Sequence, residues 1–235
     1  MGGVIGAVSG KFVLLATGLL VSASIERQPL RARIDPGSEA SVVSQRAADR
    51  IDKDGRPHPP GSVLQRSRPM LIALSAGTFP VDALPVARAP LESDVDFVIG
   101  RDILGSHVFA LNFRSRQLRM VLPYEYGNAT RRLVRVDLTP APDGSWNFPA
   151  SIDGKPVSAA LYLSGPDRAA TASASGAALL TLASGAATLS VPNAAREALP
   201  DARRRIVLNL GAFEGRYIVI DLPHRLLWID PRARA

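Results

Sequence analysis

The chain has no cysteine, which excludes a disulfide framework, a thiol nucleophile and thiolate-held zinc, and leaves the redox compartment open. Lysine is nearly missing too. It occurs only at Lys11, Lys53 and Lys155, so the net charge of +7 rests on arginine. The arginines are scattered, and their densest run is Arg203-Arg204-Arg205. With no aromatic interleaving and no basic helical stripe, this charge reads as a solvated surface, and no nucleic-acid partner is expected. Histidine is confined to His58, His107 and His224, far apart in loop contexts, and each reads as an ordinary surface residue. No metal spacing, phosphate loop or dinucleotide fingerprint is found, so no metal and no cofactor are expected.

What the chain does have is apolar content and punctuation. Of 235 residues, 46% are hydrophobic, enough for a substantial core, and 19 Gly with 19 Pro favour many short strands over long helices. One apolar run, residues 12–21 behind Lys11, leads into Val21-Ser22-Ala23. It has two readings. One is an export signal or anchor within residues 1–23, which would be the only membrane contact; the other is a first strand over residues 19–25. A run of 10 is short for a transmembrane helix.

The chain also repeats itself. Ile25-Glu26-Arg27-Gln28-Pro29 and the strand after it match Ile152-Asp153-Gly154-Lys155-Pro156 and its strand. Each reads as a β-hairpin, turning at Asp153-Gly154 in the second copy and at Arg27-Gln28 in the first. A later pair matches residues 98–120 to residues 206–229: an apolar strand, a short helical turn, then two strands. The helices are expected after Gly100 and Gly211. Pro29 and Pro156 lie 127 positions apart, but Asn112 and Asp221 only 109, so the first copy carries about 18 extra residues. Residues 52–68, with their Asp-Gly and Pro-rich steps, read as the loop that holds them. The copies divide near residues 123–132. That stretch includes the glycosylation-type triplet Asn128-Ala129-Thr130, a signal that means little by chance frequency.

The first hairpin runs into Ile34-Asp35-Pro36-Gly37-Ser38, and the later segment reads Val98-Ile99-Gly100-Arg101-Asp102. Together these resemble the retropepsin-like aspartic proteases, whose Asp-Thr-Gly or Asp-Ser-Gly loop is backed by an apolar pair and Gly leading into a short helix. The resemblance is good over residues 19–120 and weak over 145–230. It implies an all-β, bilobal acid-protease fold, two retropepsin-like β-barrel lobes with short helices, with lobes at residues 1–125 and 130–235. It also implies that Asp35 is the catalytic carboxylate, that Pro36, Gly37, Ser38 and Gly100 support its loop, and that Glu39 and Arg101 form a structural ion pair, at least partly buried. Asp102 reads as a helix-terminal or surface charge. In such proteases two carboxylates share a proton, and one activates water while the other protonates the scissile carbonyl.

The second copy departs from that pattern. The proline anchors set Tyr162, Leu163 and Ser164 opposite Asp35, Pro36 and Gly37; a shift of one residue makes Leu163-Ser164-Gly165 the counterpart. Neither register supplies an aspartate, and Asp167 falls four or five residues too late. Pro36 also lacks the hydroxyl with which the family bonds across the lobes, so an apolar cross-lobe contact is expected instead. Two functions follow: an aspartic endopeptidase of impaired competence, or a non-catalytic relative whose inter-lobe cleft binds a peptide or partner protein. A monomer is expected; a homodimer joining two Asp35 loops is the alternative. Residues 70–87, turning at residues 75–78, are read either as a mobile flap over the cleft or as a core hairpin.

Overall fold

The computed structural model describes residues 9–15, 18–52, 55–74, 77–152, 154–163, 173–174, 178–182, 187–191, 195–198 and 204–231. The apolar run near the start forms strands β1 (Ser9–Leu15) and β2 (Gly18–Ile25). Phe12 and Leu19 of that run are buried in the core. Among the described residues no helix is long and apolar enough to cross a membrane. β2 turns into β3 (Gln28–Ile34) with Ser24 opposite Pro29 and Leu19 opposite Ile34. The turn falls on Glu26-Arg27, one residue earlier than the sequence suggests. Both residues take positive φ, the left-handed pair that a two-residue hairpin requires.

After the Asp35 loop come β4 (Val42–Val43), helix α1 (Gln45–Ile51), the long hairpin β5 (Val63–Leu74) and β6 (Gly77–Pro85), and β7 (Phe97–Ile99). β7 lies parallel to β3, with Ala32 opposite Phe97 and Ile34 opposite Ile99. Helix α2 (Arg101–Leu104) follows Gly100 directly, and β8 (Val108–Asn112) and β9 (Gln117–Met120) close the lobe. Residues 63–68 are not loop; they are the first half of β5, reconciled with β6 by a register shift between Gln65 and Met70.

A short helix, α3 (Tyr126–Thr130), joins the lobes. The Asn128 triplet lies in it, and Thr130 is buried, donating its hydroxyl to the Tyr126 carbonyl at 2.8 Å. The second lobe runs through β10 (Val134–Asp137), β11 (Thr139–Pro140), β12 (Trp146–Ile152), β13 (Lys155–Tyr162), β14 (Ser173–Ala174), β15 (Ala178–Leu182), β16 (Ala187–Val191), β17 (Ala195–Ala198) and β18 (Arg204–Asn209). A 3₁₀ turn, Leu210–Phe213, leads to β19 (Tyr217–Asp221) and β20 (Leu226–Ile229). Gly211 therefore lies inside the helical turn rather than before it.

The lobes share one platform of strands in the order β10-β20-β19-β8-β9-β1. Its central pair is antiparallel, with Ala110 opposite Val219. Asn112 and Asp221 are equally placed on either side of that pair, so an approximate two-fold axis passes between β8 and β19. The apolar core crosses the axis, and Phe109 and Leu111 of one lobe join Leu163, Leu210 and Ile220 of the other in one buried cluster.

The β5–β6 hairpin is a core element, not a flap. Met70, Ile72, Leu74 and Phe79 are all buried. At its tip the Gly77 end lies against Met120 of β9, and Phe79 meets the His107 ring edge-on at 4.7 Å. The tip residues Ser75 and Ala76 lie outside the described residues.

Candidate functional site

Asp35 follows the last residue of β3, and its N–H donates to the Ile99 carbonyl at 2.9 Å, continuing the β3–β7 pairing into the loop. The residue is 7% exposed. Its carboxylate is held by its own turn: Oδ1 accepts the Gly37 and Ser38 N–H groups at 3.1 and 3.3 Å, and Oδ2 accepts the Ser38 hydroxyl at 2.9 Å. A fourth donor is the Arg33 guanidinium, 3.5 Å from Oδ2. Arg33 stands two residues before Asp35 on β3 and so shares its face of the sheet. The alternation through Arg31-Ala32-Arg33-Ile34 carries that signal, although a charged residue there runs against the apolar pattern expected before the loop.

The loop is closed from behind by Gly100. A Cβ there would fall 2.6 Å from the Ala40 carbonyl carbon and 2.9 Å from the Ser41 nitrogen, both backbone atoms, so only glycine fits. The Arg101 N–H donates to the Ser38 carbonyl at 2.8 Å, stitching α2 to the loop. Glu39 and Arg101 do approach, at 3.5 Å, but their side chains are 90% and 36% exposed, so the partly buried bridge expected from sequence is a surface contact. The buried anchor is Ser41 instead, held by the exposed Asp102 carboxylate. That carboxylate accepts the Ser41 N–H at 3.0 Å and the Ser41 hydroxyl at 2.6 Å, and Ser41 Oγ accepts the Gly100 N–H at 2.8 Å. Asp102 is exposed in the first turn of α2, the helix-terminal place that the sequence suggests, and its grip on Ser41 is added only by tertiary folding.

In the second lobe Ser151 pairs with Pro156 as Ser24 pairs with Pro29, and Leu161 lies beside Leu208 as Ile34 lies beside Ile99. That register sets the unshifted counterpart, Tyr162, at the position of Asp35. Tyr162 is buried, and its hydroxyl donates to Asp143 Oδ2 at 2.7 Å. Asp143 also accepts the Ser145 N–H and hydroxyl at 3.0 and 2.6 Å. This β11–β12 turn approaches the first lobe, since a Cβ on Gly144 would lie 3.6 Å from the Gly37 carbonyl oxygen. Asp143 is invisible to motif reasoning, because it comes from a turn 19 residues before the tyrosine it serves. Ser164, Gly165 and Asp167 lie outside the described residues.

Between the loops, Pro36 and Leu163 line one apolar seam with Leu19, Ile34 and Leu210, leaving about 20 Å³ free. Among the described residues no polar side chain lines it. The contact here is packing, and an apolar space of that size stays dry.

Elsewhere, charge is balanced locally. Burial works to raise the Asp96 pKa, but the Arg31 N–H and the guanidinium groups of Arg46 and Arg50 outweigh it and hold the carboxyl below its ordinary value. Arg46 and Arg50 reach Asp96 Oδ1 at 2.9 and 2.7 Å and so dock α1. Burial, helped by the hydrogen bond to Asp221, pushes the Tyr126 phenol up to about 12. Burial also lowers the Arg216 pKa. Among the three histidines, His58 is not a surface residue: its ring is 13% exposed and lies 2.8 Å from Asp52. Among the described residues no three His, Cys, Asp or Glu side chains gather as a metal site would need.

The platform, the paired hairpins and the Gly100-backed loop define an all-β, two-lobed acid-protease fold. No family model matches the chain, and no curated protein matches it. Solved structures do, among them the crystal structure of basic 7S globulin from soybean, whose fold is related to the pepsin-like aspartic proteases. The match has a TM-score of 0.59 at 11% identity and covers 97% of this chain and 95% of that one. At that identity the likeness is one of fold alone.

Proposed function

We propose that the protein is a non-catalytic member of the acid-protease fold, working as a monomer, whose inter-lobe cleft binds an extended peptide or a segment of a partner protein. The observation that carries this is the pairing across the axis. Where a second carboxylate would share a proton with Asp35, the chain has Tyr162, and its phenolic proton goes to Asp143. General acid or base assistance contributes about 10²–10⁴-fold each, and loss of one member of a coupled pair removes most of the combined effect. Likeness to a protein named as a globulin fits this reading.

An aspartic endopeptidase is the second reading, favoured by the Asp35 turn, whose donors still hold the carboxylate. It requires Tyr162 with Asp143 as a substitute acid, or a homodimer that joins two Asp35 loops. Incubation with a peptide library from acidic to neutral pH, beside a measurement of mass in solution, separates these. The expected result is no cleavage that Asp35→Asn abolishes. Asp35-dependent cleavage by a species of monomer mass would establish the endopeptidase reading, and by a dimer the joined-loop reading.

A further inference from the structure

Resting on the cleft-binding reading above, the geometry points to the sequence chemistry of the ligand: an apolar residue followed directly by an acidic one, bound on the sheet face beside Asp35. Strand register defines that face. Leu20 lies opposite Arg33, Arg33 beside Val98, and Val98 opposite Val42, one row across β2, β3, β7 and β4. Paired residues share a face, and Asp35 lies two positions beyond Arg33 on the same side. The row is therefore the wall next to the Asp35 carboxylate, with one guanidinium set in an apolar surface.

That wall is covered in cis by the segment between β6 and β7. Leu91 and Val95 pack on Leu20, Val42 and Val98 as a small cluster apart from the main core. Glu92 takes the Arg33 guanidinium at 2.5 Å while the other Arg33 nitrogen faces Asp35. The segment is tied down at its ends, where Val86 pairs with Ser62 and Asp96 with Arg31 through the backbone. Its middle is held by the buried Val95 and partly buried Leu91, by Glu92 on Arg33 and by Asp94 on Arg31 at 3.3 Å. Behind it, toward the start of α1, a groove of about 320 Å³ leaves room for it to lift. Arg33 Nε is buried with no partner, so the guanidinium still has a donor to give to an incoming carboxylate.

Leu91-Glu92 thus occupies the wall as a ligand of the same chemistry would: an alkyl group on the apolar row and a carboxylate on Arg33. A peptide presenting Leu-Glu must displace this strap, so its apparent affinity is lowered by the fraction of time the strap is closed. The probe is an acetylated, amidated Ala-Ala-Leu-Glu-Ala-Ala peptide, with Leu-Gln as its neutral counterpart, titrated by calorimetry into the full chain. Leu91→Ala with Glu92→Gln loosens the strap and is expected to tighten Leu-Glu binding at least about ten-fold. The Leu-Gln peptide should bind this variant about ten-fold more weakly, the loss of one charge-assisted pair. Adding Arg33→Gln should erase the difference between the two peptides; if that variant does not fold, the two peptides on intact Arg33 still decide the matter. Equal binding of both peptides, no gain on loosening the strap, or a preference that survives Arg33→Gln would each overturn the assignment. Mass spectrometry of the same peptides separates it from the reading it rests on. Asp35-dependent cleavage would reject the non-catalytic role and leave the recognition site standing, whereas absent binding with no cleavage would do the reverse.

Discussion

The two lobes agree in backbone and disagree in chemistry. In each, a hairpin with proline three residues after the start of its turn feeds a strand that lies parallel to a later apolar strand. The first lobe ends that strand in a carboxylate wrapped by its own turn, backed by a glycine no other residue can replace. The second ends it in a tyrosine that reaches to a neighbouring hairpin. Strand register is maintained by many paired backbone groups and by burial on one face, so it tolerates drift in sequence. The residue that ends the strand rests on a single position, so it can differ between the lobes while the architecture stays the same.

The comparison can be broken most severely at Gly100. Gly100→Ala drives a methyl into backbone that cannot yield, and a loss of more than about 3 kcal/mol, or failure of the first lobe to fold, is expected in urea unfolding. Near-wild-type stability would show that the loop closes less tightly than the geometry says. Asp102→Ala strands the Ser41 N–H and hydroxyl, at an expected cost of about 1.5–3 kcal/mol by the same measurement. Across the axis, Tyr162→Phe leaves Asp143 with only Ser145 among the donors described above. A loss of about 1–2 kcal/mol is expected, and no gain of peptidase activity.

Acid sharpens the contrast in another way, because α1 and its Asp96 dock belong to the first lobe. The Asp96 carboxyl is held below its ordinary value, so the stability it contributes is fully present above about pH 4 and is lost as pH falls through the lower folded value. Asp96→Asn should flatten that acid limb in a series of unfolding curves; an unchanged limb would place the acid response elsewhere. The smallest effect belongs to the exposed Glu39–Arg101 pair. Glu39→Gln should change stability by less than about 1 kcal/mol, and a double-mutant cycle with Arg101→Gln should return little coupling.

The repeat, the Asp35 loop and its closing glycine are legible in sequence because each is a local pattern. Pro29 and Pro156 hold the same register in their hairpins, since hairpin pairing converts a spacing into a position. The functional partners are not local. Arg33 finds Asp35 by strand alternation but finds Glu92 only through a segment nearly sixty residues on. Asp143 meets Tyr162 through a turn of another hairpin, and Ser41 meets Asp102 only when β4 and α2 dock. The β5–β6 hairpin misleads for a related reason. Apolar strands around a Gly-containing turn look alike whether the tip hangs over a cleft or rests on Met120. His58 looks like a loop residue because its loop folds back on α1.

The central pair of the platform, Ala110 facing Val219, has a consequence for symmetry. On the axis of a true homodimer a residue meets its own copy, so its size is a compromise: two alanines underfill the gap and two valines crowd it. Joining the halves in one polypeptide lifts that constraint and lets a small residue face a larger one. The same freedom, applied a few strands away, lets one half end its strand in an aspartate while the other ends it in a tyrosine. Asymmetry at the axis and asymmetry at the site have one physical licence: within a single polypeptide the two halves need not be identical.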